Sequence, residues 1–365
     1  MKILFLAPYP LKSSPSQRFR FEQYFTVLDT NGHTYTFQSF LSPKGWKNIY
    51  SKGRQLRKAW AIASGFLRRL TILPKAAGVD IVFVHRELTP VGPPVFEWLI
   101  AKVLGKKIVY DFDDAIWLTD RKNESWFDRM LRQRSKVASI CRWSHVVSCG
   151  NEFLCSYARN YNRNVRYNPT TIDLAYHRLI SPTKTNDEIV IGWTGSHSTL
   201  KYLESIVPVI QRLEKTYSNL VFLVIADKAP ILNISSLRFI PWKEESEIQD
   251  LSMIDVGIMP LPDDDWSRGK CGFKLLQYMS LRKPSIASPV GVNTTIITNG
   301  VDGLICNTVN EWVEGIRKLI KDPNLRMELG EAGRRKVEAS YSVSSNTLNF
   351  LSLFQSSAIS TRATR

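Results

Sequence analysis

Short apolar runs alternate with longer amphipathic stretches along the whole chain, the pattern left by buried parallel strands joined by helical crossovers. In the first half the runs predict strands at Ile3–Ala7, Thr34–Phe40, Ile81–His85, Lys107–Phe112, His145–Ser148 and Val165–Asn168. In the second half they predict Ile189–Trp193, Leu220–Ala226, Leu237–Ile240, Val256–Pro260, Pro284–Ala287 and Gly303–Cys306. Helical periodicity separates most of them, for example over Phe19–Leu28, closed by Asn31-Gly32, and over Leu200–Tyr217. The expected fold is α/β, with two doubly wound sheets. Between them, 168–186 carries Pro169, Pro182 and four threonines with little apolar periodicity, which predicts a linker. A helix is expected at Val343–Phe354, followed by a frayed polar tail from Ser356 to Arg365.

The length of 365 residues fits two domains, and 44% hydrophobic with 22% charged residues excludes a disordered or fibrous chain. Lys plus Arg number 49 against 33 Asp plus Glu, a formal charge of +16 that points to anionic partners. Five cysteines (Cys141, Cys149, Cys155, Cys271, Cys306) form no CxxC pair, so neither a disulfide framework nor a zinc pattern is expected, and a reducing cytoplasm fits. The first apolar run stops at Pro8, too short for a signal peptide, and nowhere do about 18 uncharged apolar residues run together.

The charge is concentrated. From Thr30 to Val79 there is no Asp or Glu, yet Lys44, Lys47, Lys52, Arg54, Arg57, Lys58, Arg68, Arg69 and Lys75 are basic. Trp46, Tyr50, Leu56, Trp60, Phe66, Leu67 and Leu70 are interleaved with them, so the segment 44–75 is expected to dock on an anionic membrane surface. Two ordinary helices with apolar faces in the core would show a similar composition. Nucleic acid is not expected as a partner, since no nucleic-acid module signature is present.

Three constellations carry candidate chemistry. Gly192-Trp193-Thr194-Gly195-Ser196-His197-Ser198 follows a strand and precedes a helix, where small residues let backbone amides and hydroxyls approach a phosphate; a tight turn capped by Ser198 or Thr199 would look the same. Trp266 to Met279 passes through a glycine-flanked basic turn, with Arg268, Lys270 and Gly272, into a helix carrying Lys274 and Gln277. That arrangement suits a diphosphate held by amides and ammonium groups, with Gln277 reaching hydroxyls one turn on. Asp111, Asp113 and Asp114 crowd the carboxyl end of a strand, where α/β sheets place ligands, although Asp114 or Thr119 could instead cap a helix. His85 ends another strand, and Arg18 and Arg20, after Ser13-Ser14-Pro15-Ser16, could hold an anionic acceptor group.

The second constellation resembles the C-terminal signature of GT-B glycosyltransferases of the family 4 type: a glycine turn, the helix Lys274-Leu275-Leu276-Gln277-Tyr278-Met279, then Lys283-Pro284 and Pro289-Val290-Gly291. Lys2 to Pro10, Gly150 to Leu154, Asn168 to Asp173 and Asn299 to Leu304 resemble further pieces of that family in the same order. The resemblance implies two Rossmann-like domains facing a central cleft, with 1–180 taking the acceptor, 181–340 the nucleotide-sugar donor, and 341–365 crossing back to the first domain. It implies a retaining, metal-independent hexosyltransferase needing no cofactor, which moves a sugar from a nucleotide diphosphate to a lipid-linked or polysaccharide acceptor. The protein would then be cytoplasmic and peripheral to the membrane.

By that resemblance the donor-binding residues are Gly192, Thr194, Gly195, Ser196, Trp242, Arg268, Lys270, Cys271, Gly272, Phe273, Lys274 and Gln277. Asp113 falls about where many members keep a catalytic His, and from their own positions Asp111 and His85 are expected to serve catalysis beside it and Arg18 and Arg20 the acceptor; a buried hydrogen-bonded His and surface arginines would look the same. Three departures stand out: the family's paired glutamates are replaced by Gly269 and Gln277, the Arg and Lys that members often place after the first strand of the second domain are missing from Trp193 to Thr199, and Ser13-Ser14-Pro15-Ser16 replaces the glycine loop. Separately, Asp111-Phe112-Asp113 mimics the metal-binding Asp-X-Asp of the GT-A class. The metal reading is discounted, because GT-A enzymes lack a second doubly wound domain with the Lys274–Met279 signature. A nucleotide-sugar epimerase of the same architecture and a non-catalytic membrane-associated subunit remain alternatives.

Overall fold

The computed structural model describes residues 1–49, 51, 53–119, 124–180 and 187–355. Part of the expected linker (181–186), the tail from 356, Tyr50 and Lys52 lie outside the described residues. The chain folds into two compact units, Met1–Asn168 with the stretch from Asn346 onward, and Pro169–Ser345.

The first unit holds β1 (Lys2–Ala7), β2 (Thr34–Ser39), β3 (Ile81–His85), β4 (Lys107–Phe112), β5 (Val146–Cys149) and β6 (Val165–Tyr167). All pair in parallel, in the order β2-β1-β3-β4-β5-β6. The apolar runs of β1, β3, β4 and β5 are buried almost throughout, as expected for strands covered on both faces. Strand order reverses between β1 and β3, the place where open α/β sheets bind ligands. Phe5, Phe21 and Phe83 form an aromatic core that also receives Phe350 and Phe354 from the returning segment, and Phe350 stacks on Tyr24 at 4.1 Å.

The second unit holds β7 (Ile189–Gly195), β8 (Leu220–Ala226), β9 (Leu237–Pro241), β10 (Val256–Met259), β11 (Ser285–Ala287) and β12 (Leu304–Ile305). These are also parallel, in the order β12-β11-β10-β7-β8-β9, with the reversal between β7 and β10. Gly257 in β10 has no room for a β-carbon, because the Tyr278 ring lies against it. Tyr278 in turn accepts the Thr194 amide at 3.0 Å, so the Phe273–Ser280 helix is fastened to the end of β7.

Every expected strand is present within one or two residues; the helices depart further. The expected helix Phe19–Leu28 is broken into a short helix Pro15–Arg18, a 3-10 turn Glu22–Tyr24 and a helix Phe25–Thr30. The break lets Phe19, Arg20 and Phe21 all turn inward, which one continuous helix face cannot do. Leu200–Tyr217 is instead a 3-10 segment His197–Ile206 followed by a helix Val207–Glu214, since Pro208 has no amide to donate and starts the helix anew. The helix expected from Val343 begins only at Thr347, because Ser342 and Ser345 bond each other's backbone and hydroxyls in a turn. No helix starts at Asp114, and residues 120–123, which follow Thr119, lie outside the described residues; the next described helix is Trp126–Arg132, capped by Ser125.

In the basic segment, the helix Gln55–Leu70 buries Ala61, Gly65 and Arg69, with the Phe40 ring occupying the space a β-carbon on Gly65 would need. Ile62 and Phe66 also pack against this cluster around Phe40, whereas Leu56 is 88% exposed, Trp60 68%, Leu67 56% and Leu70 55%. Arg69 is fully buried and donates to the carbonyls of Ala7, Gln38 and Leu88. Among the described residues no helix is long and apolar enough to cross a membrane.

Candidate functional site

In the first unit, three strands end on polar residues in one register row: His85 pairs with Asp111 and Asp111 with Ser148. Neighbours in a parallel register point to the same face, so the three side chains meet above the sheet. His85 Nδ1 lies 2.9 Å from Asp111 Oδ2, and Ser148 Oγ donates to Asp111 Oδ1 at 2.6 Å. Arg20 reaches in from the loop after β1, donating through Nη2 to Asp111 Oδ1, through Nε to Oδ2 at 3.3 Å, and through Nη1 to the Asn168 carbonyl. Burial works against the Asp111 charge, but Arg20 and the His85 hydrogen bond outweigh it and hold the carboxyl below the ordinary carboxylate range.

This geometry moves Arg20 from the acceptor role expected of it. It is 1% exposed, and its guanidinium is engaged inside the unit rather than presented to an anionic group. Asp111 is likewise enclosed, and its partner His85 meets Ser16 Oγ through Nε2 at 3.0 Å. Arg18 is largely buried, with its guanidinium 4.9 Å over the Phe19 ring.

Asp113 and Asp114 share a partner. Arg86, directly after β3, takes a left-handed backbone with φ of 61° and donates to Asp113 Oδ1 through Nε at 3.1 Å and to Asp114 Oδ2 through Nη2. Burial opposes the Arg86 charge, but the two carboxylates more than offset it and raise its pKa above the ordinary value. The crowding of carboxylates is therefore balanced by Arg20 and Arg86. Among the described residues no group of three or more His, Cys, Asp or Glu is placed to hold a metal ion.

In the second unit most of the expected donor residues lie near the carboxyl ends of β7 and β10, beside the reversal in strand order, whereas Trp242 follows β9. Gly272 sits at φ 69° at the start of the Phe273–Ser280 helix, and a β-carbon there would overlap Ile296 Cδ1. Gly291, at φ 55°, lets its loop lie against the backbone of Arg268. Lys274 Nζ stands 5.2 Å over the Trp193 ring, and Lys270 Nζ 4.8 Å over Trp266, so both ammonium groups lie on aromatic faces by this turn. Arg268 is exposed and pairs with Asp263 at 2.8 Å and Asp265 at 3.2 Å. Cys271 is buried. Across the sheet, Ser196 Oγ is 2.8 Å from Ser198 Oγ, and neither Ser198 nor Thr199 caps a helix: Ser196 holds that position without a side-chain bond. Gly192 and Gly195 are small for packing reasons, since β-carbons there would strike Ile254 and Trp193.

Two carboxylates escaped the sequence reasoning. Glu247 is buried and accepts from Tyr176 Oη at 2.8 Å, Trp242 Nε1 at 3.1 Å and Gln277 Nε2 at 3.3 Å. Gln277, 2% exposed, and Trp242 thus share a carboxylate from a different helix. Asp227, directly after β8, accepts the His197 amide at 2.6 Å, and its other oxygen lies 2.6 Å from His197 Nδ1. A polar residue following an all-apolar strand was the one available signal for Asp227.

Two six-stranded, doubly wound parallel sheets, one per unit, with flanking helices constitute the GT-B architecture of glycosyltransferases. Residues 180–336, most of the second unit, match the family model described as glycosyl transferases group 1. Sucrose-phosphate synthase from Thermosynechococcus elongatus is similar in fold, with a TM-score of 0.72 and 14% identity over 97% of this chain and 98% of that one. HepE of Anabaena, in complex with UDP and glucose, is similar with a TM-score of 0.63 and 12% identity over 96% and 98% of the two chains. The lipopolysaccharide outer core galactosyltransferase WaaB, in its apo form, is similar with a TM-score of 0.63 and 12% identity over 97% and 99%. No curated protein sequence matches the chain.

Proposed function

We propose that this protein is a retaining glycosyltransferase that moves a sugar from a nucleotide diphosphate, bound by the second unit, to a lipid-linked or polysaccharide acceptor taken by the first. The observation that carries this reading is the Gly272 turn with Lys274 beside it, set by the β7–β10 reversal where such sheets bind nucleotides. Departure of the nucleoside diphosphate builds negative charge, and Lys270 and Lys274 with the amides opening the Phe273–Ser280 helix can stabilise it. Arg268 joins them by exchanging Asp263 and Asp265 for phosphate. Gln277 and Glu247 together offer a donor-and-acceptor pair to the nucleotide's hydroxyls in place of the absent glutamate.

On the first unit, Asp113 positions the acceptor hydroxyl, its own orientation set by Arg86. The membrane reading draws support from Leu56 and Trp60, which stand exposed beside Arg57 and Lys58 on one helix and so place apolar and basic groups together at a surface. We place the protein on the cytoplasmic face of the membrane, close to a glycan-bearing lipid. The test is a thermal-shift and turnover screen with UDP, GDP, ADP and their sugars. Stabilisation by one base and its sugar, with transfer that requires an added acceptor, is the expected result. Conversion of the sugar without an acceptor would make it an epimerase, and no response to any nucleotide would refute a donor site.

A further inference from the structure

The Trp126–Arg132 helix buries none of its own side chains, yet four of its seven residues are large and apolar. Trp126 is 75% exposed, and Phe127, Met130 and Leu131 stand exposed with it. At helical spacing these four fall on one side and leave Asp128, Arg129 and Arg132 on the other. So short a helix is not held by its backbone bonds alone. Local ties keep it formed: Ser125 Oγ accepts the Asp128 amide at 3.0 Å, and Glu124 and Arg134, which flank the helix, join through two bonds of 2.6 Å. Its apolar side is thus presented rather than packed, and a contiguous exposed patch of this kind marks an interaction surface.

The helix is fastened to the loop that follows β3, where the Leu131 carbonyl accepts the Gly92 amide at 2.7 Å. The same loop accepts Arg69, from the Gln55–Leu70 helix, at the Leu88 carbonyl, and it continues into the helix Val95–Trp98, whose Phe96 ring lies 6.3 Å from Phe66. Val95 and Trp98 are exposed as well. One loop therefore ties together three helices of the first unit that each expose apolar side chains. Arg57, Lys58 and Arg68 accompany them on the first helix, and Arg129 and Arg132 on the third, while the carboxylates of these helices are only Asp128 and the buried Glu97. Charge decides what such a surface meets. A second copy of the chain would set these cations against one another, whereas anionic lipid complements them and takes aromatic side chains among its headgroups.

We infer that the Trp126–Arg132 helix is a second membrane anchor, which lies in the headgroup layer of an anionic bilayer with Trp126, Phe127, Met130 and Leu131 inserted; this rests on the membrane reading given above for the Gln55–Leu70 helix. One anchor leaves the first unit free to turn about it, and two fix its attitude to the bilayer. The apolar side supplies insertion, which salt does not screen. Arg129 and Arg132 add attraction to lipid phosphates, which salt weakens.

The test uses the full chain with vesicles of phosphatidylcholine mixed with phosphatidylglycerol in equal parts. Trp126→Ser combined with Phe127→Ser should weaken co-sedimentation about ten-fold or more, by a factor that stays the same as salt rises. Thermal unfolding of that double variant should match the parent's, since neither side chain is buried. Trp126→Leu, which keeps an apolar side chain, should bind within a few-fold of the parent. Lipid brominated along its chains should quench part of the parent's tryptophan emission, and the quenched share should fall in Trp126→Phe. Equal binding by parent and double variant, or an equal quenched share in Trp126→Phe, overturns the second anchor, while a parent that still binds keeps the reading for the Gln55–Leu70 helix. A parent that ignores these vesicles at low salt overturns both. A dimer in sedimentation velocity that the double variant dissolves, with vesicle binding unchanged, overturns the anchor in favour of a second copy.

Discussion

His85 and Asp111 occupy paired register positions on neighbouring strands, with Nδ1 of one 2.9 Å from a carboxylate oxygen of the other. Arg20 and Ser148 also bond Asp111, and His85 Nε2 meets Ser16 Oγ at 3.0 Å. Its cost in desolvation is met by ion pairing, which makes its removal expensive.

Asp111→Asn should therefore destabilise the first unit by about 3–5 kcal/mol, because it leaves the buried Arg20 guanidinium without a counter-charge. The folded state holds the Asp111 carboxyl below its ordinary value. The stabilisation is thus fully present above the ordinary carboxylate pKa of about 4 and fades as pH falls through the lower folded value. Urea unfolding between neutral pH and pH 3 should show the parent losing stability more steeply than the Asn variant.

Lys274→Ala should weaken nucleoside diphosphate binding by about 1.5–3 kcal/mol, the scale of one charge-assisted contact. Titration calorimetry with UDP and GDP measures it directly. An affinity equal to the parent's would remove Lys274 from the donor site.

Asp113→Asn should bind nucleotide as the parent does and lose turnover at least ten-fold, since the change touches only the first unit. Activity within a few-fold of the parent would assign Asp113 to holding Arg86 alone.

Gly272 and Gly32 share nearly the same left-handed backbone, φ 69° and 70°, but differ in surroundings. Alanine at either position incurs roughly 1–2 kcal/mol of backbone strain. At Gly32 nothing lies within 4 Å, whereas at Gly272 the new carbon meets Ile296. Thermal unfolding should show Gly272→Ala as the more damaging of the two, and it alone should weaken nucleotide binding.

Vesicle sedimentation should show binding to acidic phospholipid, little to neutral lipid, and loss as ionic strength rises. Changing Arg54, Arg57 and Lys58 to Glu should weaken it by about 3 kcal/mol or more, over a hundred-fold, at about 1 kcal/mol per basic residue. Replacing exposed Leu56 and Trp60 with Ser should weaken binding even at low salt. Indifference of the parent to acidic vesicles at low salt would make a soluble acceptor the better reading.

The strands were legible because a parallel sheet covered on both faces writes each strand as an apolar run, as in the Leu220–Ala226 segment. Helix limits were less so, since Arg20 and Pro208 break periodic stretches for reasons that lie elsewhere in the chain. His85 and Asp111 could be singled out as polar ends of apolar strands. Their pairing, and the attachment of Gln277 to Glu247, depend on register and helix placement that periodicity does not encode. The exposed face of the Gln55–Leu70 helix was visible as composition, but only the burial of Ala61, Gly65 and Arg69 on the opposite side shows which apolar residues are left over.

Phe350 and Phe354, which pack on Tyr24, Phe5 and Phe83, belong to a segment synthesised after the whole of the second unit. During translation the first unit thus emerges with an aromatic groove on its core still unfilled, while the second unit, continuous in sequence, can close upon itself at once. Folding on the ribosome runs in reverse of chain order: the unit that begins first is finished last. Between those two moments the groove is open to aggregation and chaperone capture, and the arrival of the segment bearing Phe350 and Phe354 ends it.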